Sequence, residues 1–289
     1  MHGLLLIDKP AGLTSHDVVA RARRELKEKK SGHAGTLDPQ ATGLLVLAFG
    51  DATRWLPYLP GDKRYRARVK FGIETDTQDA WGRVTAQKDA SHLKADEIRA
   101  ALLALKSETS QVPPMVSALK FQGKPLYEYA REGVEIERAP RKLEIFDLKV
   151  TEVQGDEAEF ELHCGSGTYV RSLCALAGAR LGVGACMSAL TRLSVGPFQL
   201  AGACKLEQMD ASRLLGPQVA LGHLKEYQVA AADEPALAHG QALAMPEGSY
   251  DESETWRMSA SDGTLLGLAT PKRSEGGWRL QPERVFARK

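Results

Sequence analysis

Residues 31–43 of this 289-residue chain read Ser31-Gly32-His33-Ala34-Gly35-Thr36-Leu37-Asp38-Pro39-Gln40-Ala41-Thr42-Gly43, the densest set of groups able to do chemistry. Asp38 is its centre. Pro39 restricts the residue before it to extended backbone, and the flanking glycines let a ligand or another stretch of chain approach closely. A carboxylate so placed can act as a nucleophile, an acid or base, or a metal ligand; in a plainer reading it is a turn residue. The run lacks the G-x-x-x-x-G-K-[ST] pattern of a phosphate-binding loop. Cys164, Cys174, Cys186 and Cys204 stand 10, 12 and 18 residues apart, and no two histidines have H-E-x-x-H spacing. No metal site is therefore expected, and the cysteines read as reduced, buried apolar residues.

The elements that must position this loop follow from hydrophobic periodicity. Residues 3–7 predict a short buried strand, followed by a Lys9-Pro-Ala-Gly turn. A helix is expected over 16–29, with Ser15 as N-cap, Val18, Val19, Ala22 and Leu26 as its apolar stripe, and Lys27, Lys29 and Lys30 at its C-terminal end. Residues 44–49 form a buried strand after the loop. In 64–73, Tyr65, Ala67, Val69, Phe71 and Ile73 alternate with Arg64, Arg66, Arg68 and Lys70, giving one apolar face and one cationic face. Such a face is usually just solvated, yet four successive cations are also enough to bind a phosphate backbone. Further on, an amphipathic helix is expected over 94–105, an irregular stretch over 111–125, and strands over 142–153 and 157–164. A helix over 169–181, a strand over 186–195 and a short helix over 205–215 follow. From about 225, short strand-like runs at 254–259, 264–270 and 277–287 alternate with turns, as in a small β-domain.

Composition limits the partners. The chain is 43% hydrophobic and 26% charged, typical of a globular protein, and its net charge is +1. Charge is unevenly spread: residues 1–70 hold 13 basic and 7 acidic residues, whereas 146–164 hold one basic and six acidic. A locally basic surface on a neutral protein is compatible with a polyanion, though mixed charge also simply solvates a surface. The longest apolar run, Leu44 to Phe49, falls far short of the ~20 residues of a membrane helix. With no targeting pattern at the start of the chain, a cytoplasmic protein without membrane association is expected.

Gly32-His-Ala-Gly-Thr-Leu-Asp38-Pro-Gln-Ala-Thr-Gly-Leu-Leu45 closely resembles the catalytic motif of the TruB family of tRNA pseudouridine synthases, which isomerise uridine 55 in the tRNA T-loop. The resemblance extends to Leu5-Leu-Ile-Asp-Lys9-Pro-Ala-Gly-Leu-Thr-Ser15, to Lys63-Arg-Tyr65 through Gly72, to Cys164-Gly-Ser-Gly-Thr-Tyr169-Val-Arg171-Ser-Leu, and to Ala189-Leu190-Thr-Arg192-Leu. These five stretches occur in family order across residues 5–193. The resemblance implies an α+β fold: a pseudouridine-synthase core with a large mixed β-sheet over 1–224, carrying a thumb-like RNA-binding insertion at about 111–138. Residues 225–289 resemble a small β-rich PUA-like RNA-binding domain, best over Asp262–Ala269, while the acidic run Asp251–Glu254 departs from that pattern.

The roles it implies are specific. Asp38 matches the nucleophile, and Arg171 the arginine that pairs with it and keeps it ionised at neutral pH. Tyr65 matches the tyrosine that stacks on a uracil taken out of its helix. His33 matches the residue that fills the space the base vacates, and Tyr169 and Leu190 pack the pocket wall. Lys9 and Pro10 shape the first turn, with Lys9 also in reach of RNA; Lys120, Lys124 and Arg131 belong to the insertion that clamps the T-arm. No metal, nucleotide or redox cofactor is implied, nor an obligatory protein partner; a monomer is expected, with help in tRNA folding as a second activity. Two other classes compete. A nonenzymatic RNA-binding or folding protein would not need Asp38, Tyr65 and Arg171 together. An Asp-nucleophile hydrolase would need a second carboxylate if a glycosidase, or Mg²⁺ with further acidic ligands if a phosphatase, and Gln40 stands where one such ligand would be.

Overall fold

The alternation in 64–71 determines the centre of the molecule. In a computed structural model describing residues 2–286, the strand Lys63–Phe71 lies within an eight-stranded mixed sheet and buries Tyr65, Ala67, Val69 and Phe71. Across the sheet the strands run Gly3–Lys9, Thr42–Phe49, Ala185–Val195, Lys63–Phe71, Glu157–Cys164 and Ile145–Gln154. Ser31–His33 and Phe198–Gln199 pair with Thr42–Phe49 and Ala185–Val195. Nearly every pairing is antiparallel. The exception joins the two halves of the sheet, where Thr191 and Arg192 lie parallel to Thr42 and Gly43. Only glycine fits there: Gly43 has φ +96°, and a Cβ would sit 2.4 Å from the Arg192 carbonyl oxygen.

The register disposes of the cationic face. Arg66, Arg68 and Lys70 stand opposite Glu161, Glu159 and Glu157 of the neighbouring strand. Arg66 bonds Glu161 at 2.9 Å, Arg68 lies 3.3 Å from Glu159, and Lys70 reaches Asp156 at 2.6 Å. The basic and acidic segments seen in the sequence face each other across the sheet, so these three cations carry carboxylate partners.

Helices cover both ends of this sheet. Ile98 and Leu102 of Ala95–Leu103 pack with Leu173 and Ala177 of Val170–Arg180 against the Lys63–Phe71 strand. Val18, Val19 and Ala22 of Ser15–Glu25 cover Leu5, Ile7, Leu45 and Leu47. This first helix is shorter than its pattern predicts. Thr14, not Ser15, is the N-cap, in a reciprocal box with Asp17. Leu26 ends the helix and Lys27 takes φ +51°, so Lys27, Lys29 and Lys30 lie beyond it. The helix expected over 205–215 is replaced by two single 3-10 turns, Leu206–Gln208 and Ala211–Arg213.

Residues from Lys225 onward build a five-stranded sheet ordered Lys225–Gln228, Trp256–Ser259, Leu265–Ser274, Gly277–Val285 and Leu243–Ala244. The run expected to end at 287 passes just outside the described residues. Leu265, Leu268 and Phe286 pack against Leu4, Leu6, Val46 and Trp55, so the second sheet covers one face of the first. Between Ser110–Gln111 and Arg141–Lys142, which pair as a two-stranded ladder, the chain projects as a small hairpin and the helix Leu126–Arg131. Among the described residues no helix is long and apolar enough to cross a membrane.

Candidate active site

Three buried side chains fix the Asp38 loop by its backbone. Lys9, wholly buried, donates from Nζ to the carbonyls of Pro10 (2.9 Å), Pro39 (2.9 Å) and Ala41 (2.7 Å). Arg192, also wholly buried, donates to the carbonyls of Leu44 (2.7 Å), Thr36 (3.3 Å) and Gly35 (3.0 Å). The Ser15 hydroxyl accepts from the Leu37 amide (2.8 Å) and donates to its carbonyl (3.0 Å). A loop without sheet or helix bonds thus has its carbonyls satisfied on both sides of Asp38. Burial pushes the Lys9 ammonium down to about 8. Lys9 is therefore a scaffold of the loop, and the expectation that it reaches RNA is overturned: its three donors are directed inward, to backbone.

Asp38 projects into a cavity of about 390 Å³, within the ~300–1,000 Å³ of small-molecule sites. Its carboxylate is 37% exposed, so a substrate can reach it, and Arg171 Nη2 approaches Oδ1 at 3.4 Å. The Arg171 side chain is buried and also faces Asp79 Oδ2 at 3.7 Å. Asp79 is held in turn: its Oδ1 accepts from the Thr77 hydroxyl (2.8 Å) and the Trp81 amide (3.1 Å). Burial raises the Asp38 carboxyl above the ordinary aspartate range; Arg171 opposes this, while the like charge of Asp79 adds to it. Arg171 favours the ionised form, as its pairing with Asp38 predicts, while desolvation is the larger influence and acts against it.

Tyr65, 7% exposed, lines the same cavity while packing in the core. Burial raises its phenol, with Arg192 opposing, which keeps the hydroxyl a neutral donor and acceptor. Tyr169 and Leu190 also line the cavity. Tyr169 caps the helix that carries Arg171, and both its backbone groups bond the Gln111 side chain (2.8 and 3.2 Å). His33 ends the strand Ser31–His33, half-buried and outside the cavity wall. Lys120, Lys124 and Arg131 lie on the projecting hairpin and helix, also outside the cavity. Ser117, Ala118 and Leu119, at the base of that projection, do reach it.

Sequence reasoning missed four residues. Arg192 had a signal, the single charged residue of the strand Ala185–Val195, where full burial implies dedicated partners. Ser15 was assigned to capping, and neither Asp79 nor Gln111 was singled out. Among the described residues no group of three His, Cys, Asp or Glu side chains could hold a metal ion. The four cysteines are free and buried, and burial raises each thiol.

A carboxylate–guanidinium pair beside a buried tyrosine suits several chemistries, and relatives decide among them. Residues 23–170 match the family model of TruB family pseudouridylate synthases (N terminal domain), just over half of the chain. A tRNA pseudouridine synthase B of Heliobacterium mobile is 39% identical over 99% of this chain and 95% of its own length. That of Aromatoleum aromaticum is 45% identical over 99% and 92%. The chain belongs to the TruB family. Its fold agrees: the structure of a Cbf5-Nop10-Gar1 complex contains a chain that superposes with a TM-score of 0.74 at 26% identity, covering 99% of this chain and 85% of that one. This TruB-family enzyme is thus a pseudouridylate synthase, an isomerase, with an α+β core and a C-terminal β-sheet of PUA-like type.

Proposed function

We propose that this enzyme converts uridine 55 in the T-loop of tRNA to pseudouridine, with Asp38 as the nucleophile acting on a flipped-out base. The observation that carries the reading is Asp38, partly open to the cavity, held by Arg171 at 3.4 Å and by a loop anchored on both sides. The reaction breaks the N1–C1′ bond, turns the uracil and joins C5 to C1′, while the C5 proton leaves and N1 gains one; it is redox-neutral. Each way of doing this, through the base, the ribose carbon or a ribose proton, uses an ionised carboxylate at the nucleoside. Tyr65 offers a ring on which uracil stacks and a neutral hydroxyl for a hydrogen bond. Tyr169 and Leu190 supply further wall, and His33 occupies the place the base leaves in the RNA stack.

Residues 1–224 are assigned to catalysis, the projection at about 111–138 to gripping the T-arm, and 225–289 to further RNA contact; residues 287–289 of that last segment lie outside the described residues. The names of the relatives, each a tRNA pseudouridine synthase B, support tRNA as substrate. No obligatory protein partner is assigned. Incubation with an unmodified tRNA transcript, followed by chemical mapping at single-nucleotide resolution, tests the reading. Pseudouridine at position 55 is expected; conversion elsewhere, or none, would overturn it.

A further inference from the structure

The cavity holds a cation that the chemistry above does not use. Lys63 lines it, two residues before Tyr65 on the same strand. Among the described residues Lys63 has no carboxylate ion-pair partner; its Nζ donates to the Gly61 carbonyl at 2.6 Å. Nearby Asp62 is turned to His163, at 2.9 Å. The other cations of the cavity are accounted for. Arg171 faces Asp38 and Asp79, and Arg192 has its donors on three backbone carbonyls.

Lys63 is also crowded by like charge. A Cβ placed on Gly35 would lie 3.4 Å from Lys63 Cε and 3.6 Å from Arg192 Nη1, so both cations converge above Gly35, three residues from Asp38. Burial and the neighbouring Arg192 lower the Lys63 ammonium, with Cys164 and Asp62 opposing more weakly. A half-buried ammonium beside a second cation, with no carboxylate in ion-pair contact among the described residues, is suited to take up an anion. A nucleotide entering this cavity brings one such group with it, its phosphodiester.

We propose that Lys63 binds a non-bridging phosphate oxygen next to the nucleotide whose base enters the cavity, and so sets the depth at which the ribose meets Asp38. This rests on the TruB-type reading of the site. The test uses T-arm RNA in which a neutral methylphosphonate replaces the phosphate either 5′ or 3′ of the target uridine. On unmodified RNA, Lys63→Met should lower kcat/KM about tenfold, the size of one charged hydrogen bond. It should also flatten the log–log salt dependence of binding by about one unit. For wild type, one of the two methylphosphonates should cost a similar factor, and Lys63→Met should be indifferent to that same substitution. Lys63→Arg should recover most of the loss.

Three results would overturn the proposal. One is a Lys63→Met enzyme with wild-type kcat/KM and salt slope. Another is a variant that still responds to both methylphosphonates as wild type does. The last is a loss that tracks a lowered Tm and is not recovered by arginine, which would assign Lys63 to holding Gly61. Failure of wild type to convert uridine 55 would instead refute the reading on which the proposal rests.

Discussion

The Asp38 loop and the projecting segment at 111–138 both depend on cations, and they use them in opposite ways. At the loop, Lys9 and Arg192 are fully buried and bond six backbone carbonyls, so their charge fixes the chain. On the projection the cations remain at the surface. Lys124 pairs with Glu132 and lies 4.6 Å from the Tyr129 ring centre, and Arg131 lies 5.3 Å from that of Tyr127. A buried ammonium on carbonyls has no water to exchange with, so the geometry it enforces is narrow. A surface lysine on a glutamate can trade that partner for a phosphate at little cost. The first arrangement suits positioning for chemistry, and the second suits the polyanion contact proposed for the projection.

The largest effect is expected where the fixed loop meets the substrate. Asp38→Asn keeps size and hydrogen-bonding capacity but removes the basic carboxylate, and single-turnover pseudouridine formation should fall ~10³-fold or more. RNA binding, measured on the same sample, should change little. Near-normal conversion by a sample verified free of deamidation and of wild-type enzyme would remove Asp38 from the chemistry.

Next come the two buried cations. Arg192→Leu leaves three carbonyls without donors, and a loss of about 3 kcal/mol or more of stability is expected, read by denaturant unfolding. Lys9→Met removes donors too, but it also relieves the burial of a charge. Its stability should therefore change less, while kcat falls ~10²-fold from a misplaced Asp38. If Lys9→Met proved fully active, the loop would not need its ammonium anchor.

The pH profile sharpens the same point. With Asp38 as the proposed nucleophile, activity requires its ionised form, and burial raises its carboxyl, so the acid limb should lie above that of an ordinary aspartate. Lys9, pushed down to about 8, becomes a neutral amine with two N–H donors for three carbonyls as pH rises through that value, so activity should decline there. That alkaline limb should be missing from the residual activity of Lys9→Met; its persistence would assign the limb to another group.

The smallest effects belong to the projection. Replacing Lys120 and Lys124 together by alanine should flatten the salt dependence of tRNA binding more than replacing Lys27 and Lys29. Stability should stay within about 0.5 kcal/mol, as for other surface changes. Equal slopes in the two double variants would withdraw the projection from RNA gripping and erase the contrast with the loop.

Much of this was legible in the chain. Period-two alternation at 64–71 and 157–164 is a local property, and both strands form where that pattern lies. The motifs around Asp38, Tyr65 and Arg171 marked three groups that the fold brings to one cavity from a loop, a strand and a helix. Helix ends were less legible, because Thr14 and Ser15 are both competent caps. Choosing between them depended on Ser15 being needed at Leu37, 22 residues away. The short helix expected at 205–215 failed because the chain there bridges back to the first strand, where Cys204 bonds Leu6 and Leu215 bonds Leu4.

By itself the sequence determined which residues could carry charge, stack on a base or turn the chain, and the order in which its strands and helices alternate, because these depend on side-chain chemistry and short-range periodicity. Tertiary structure alone decided what each charge is for. Arg66, Arg68 and Lys70 are paired with carboxylates about 90 residues away, Arg192 is enclosed among carbonyls of the Asp38 loop, and Lys63 lines the cavity with its ammonium on the Gly61 carbonyl. The sequence lists the same cations in each case. The energy of a charge depends on how much water it keeps and on what lies within a few ångströms of it, and both are properties of distant segments brought together.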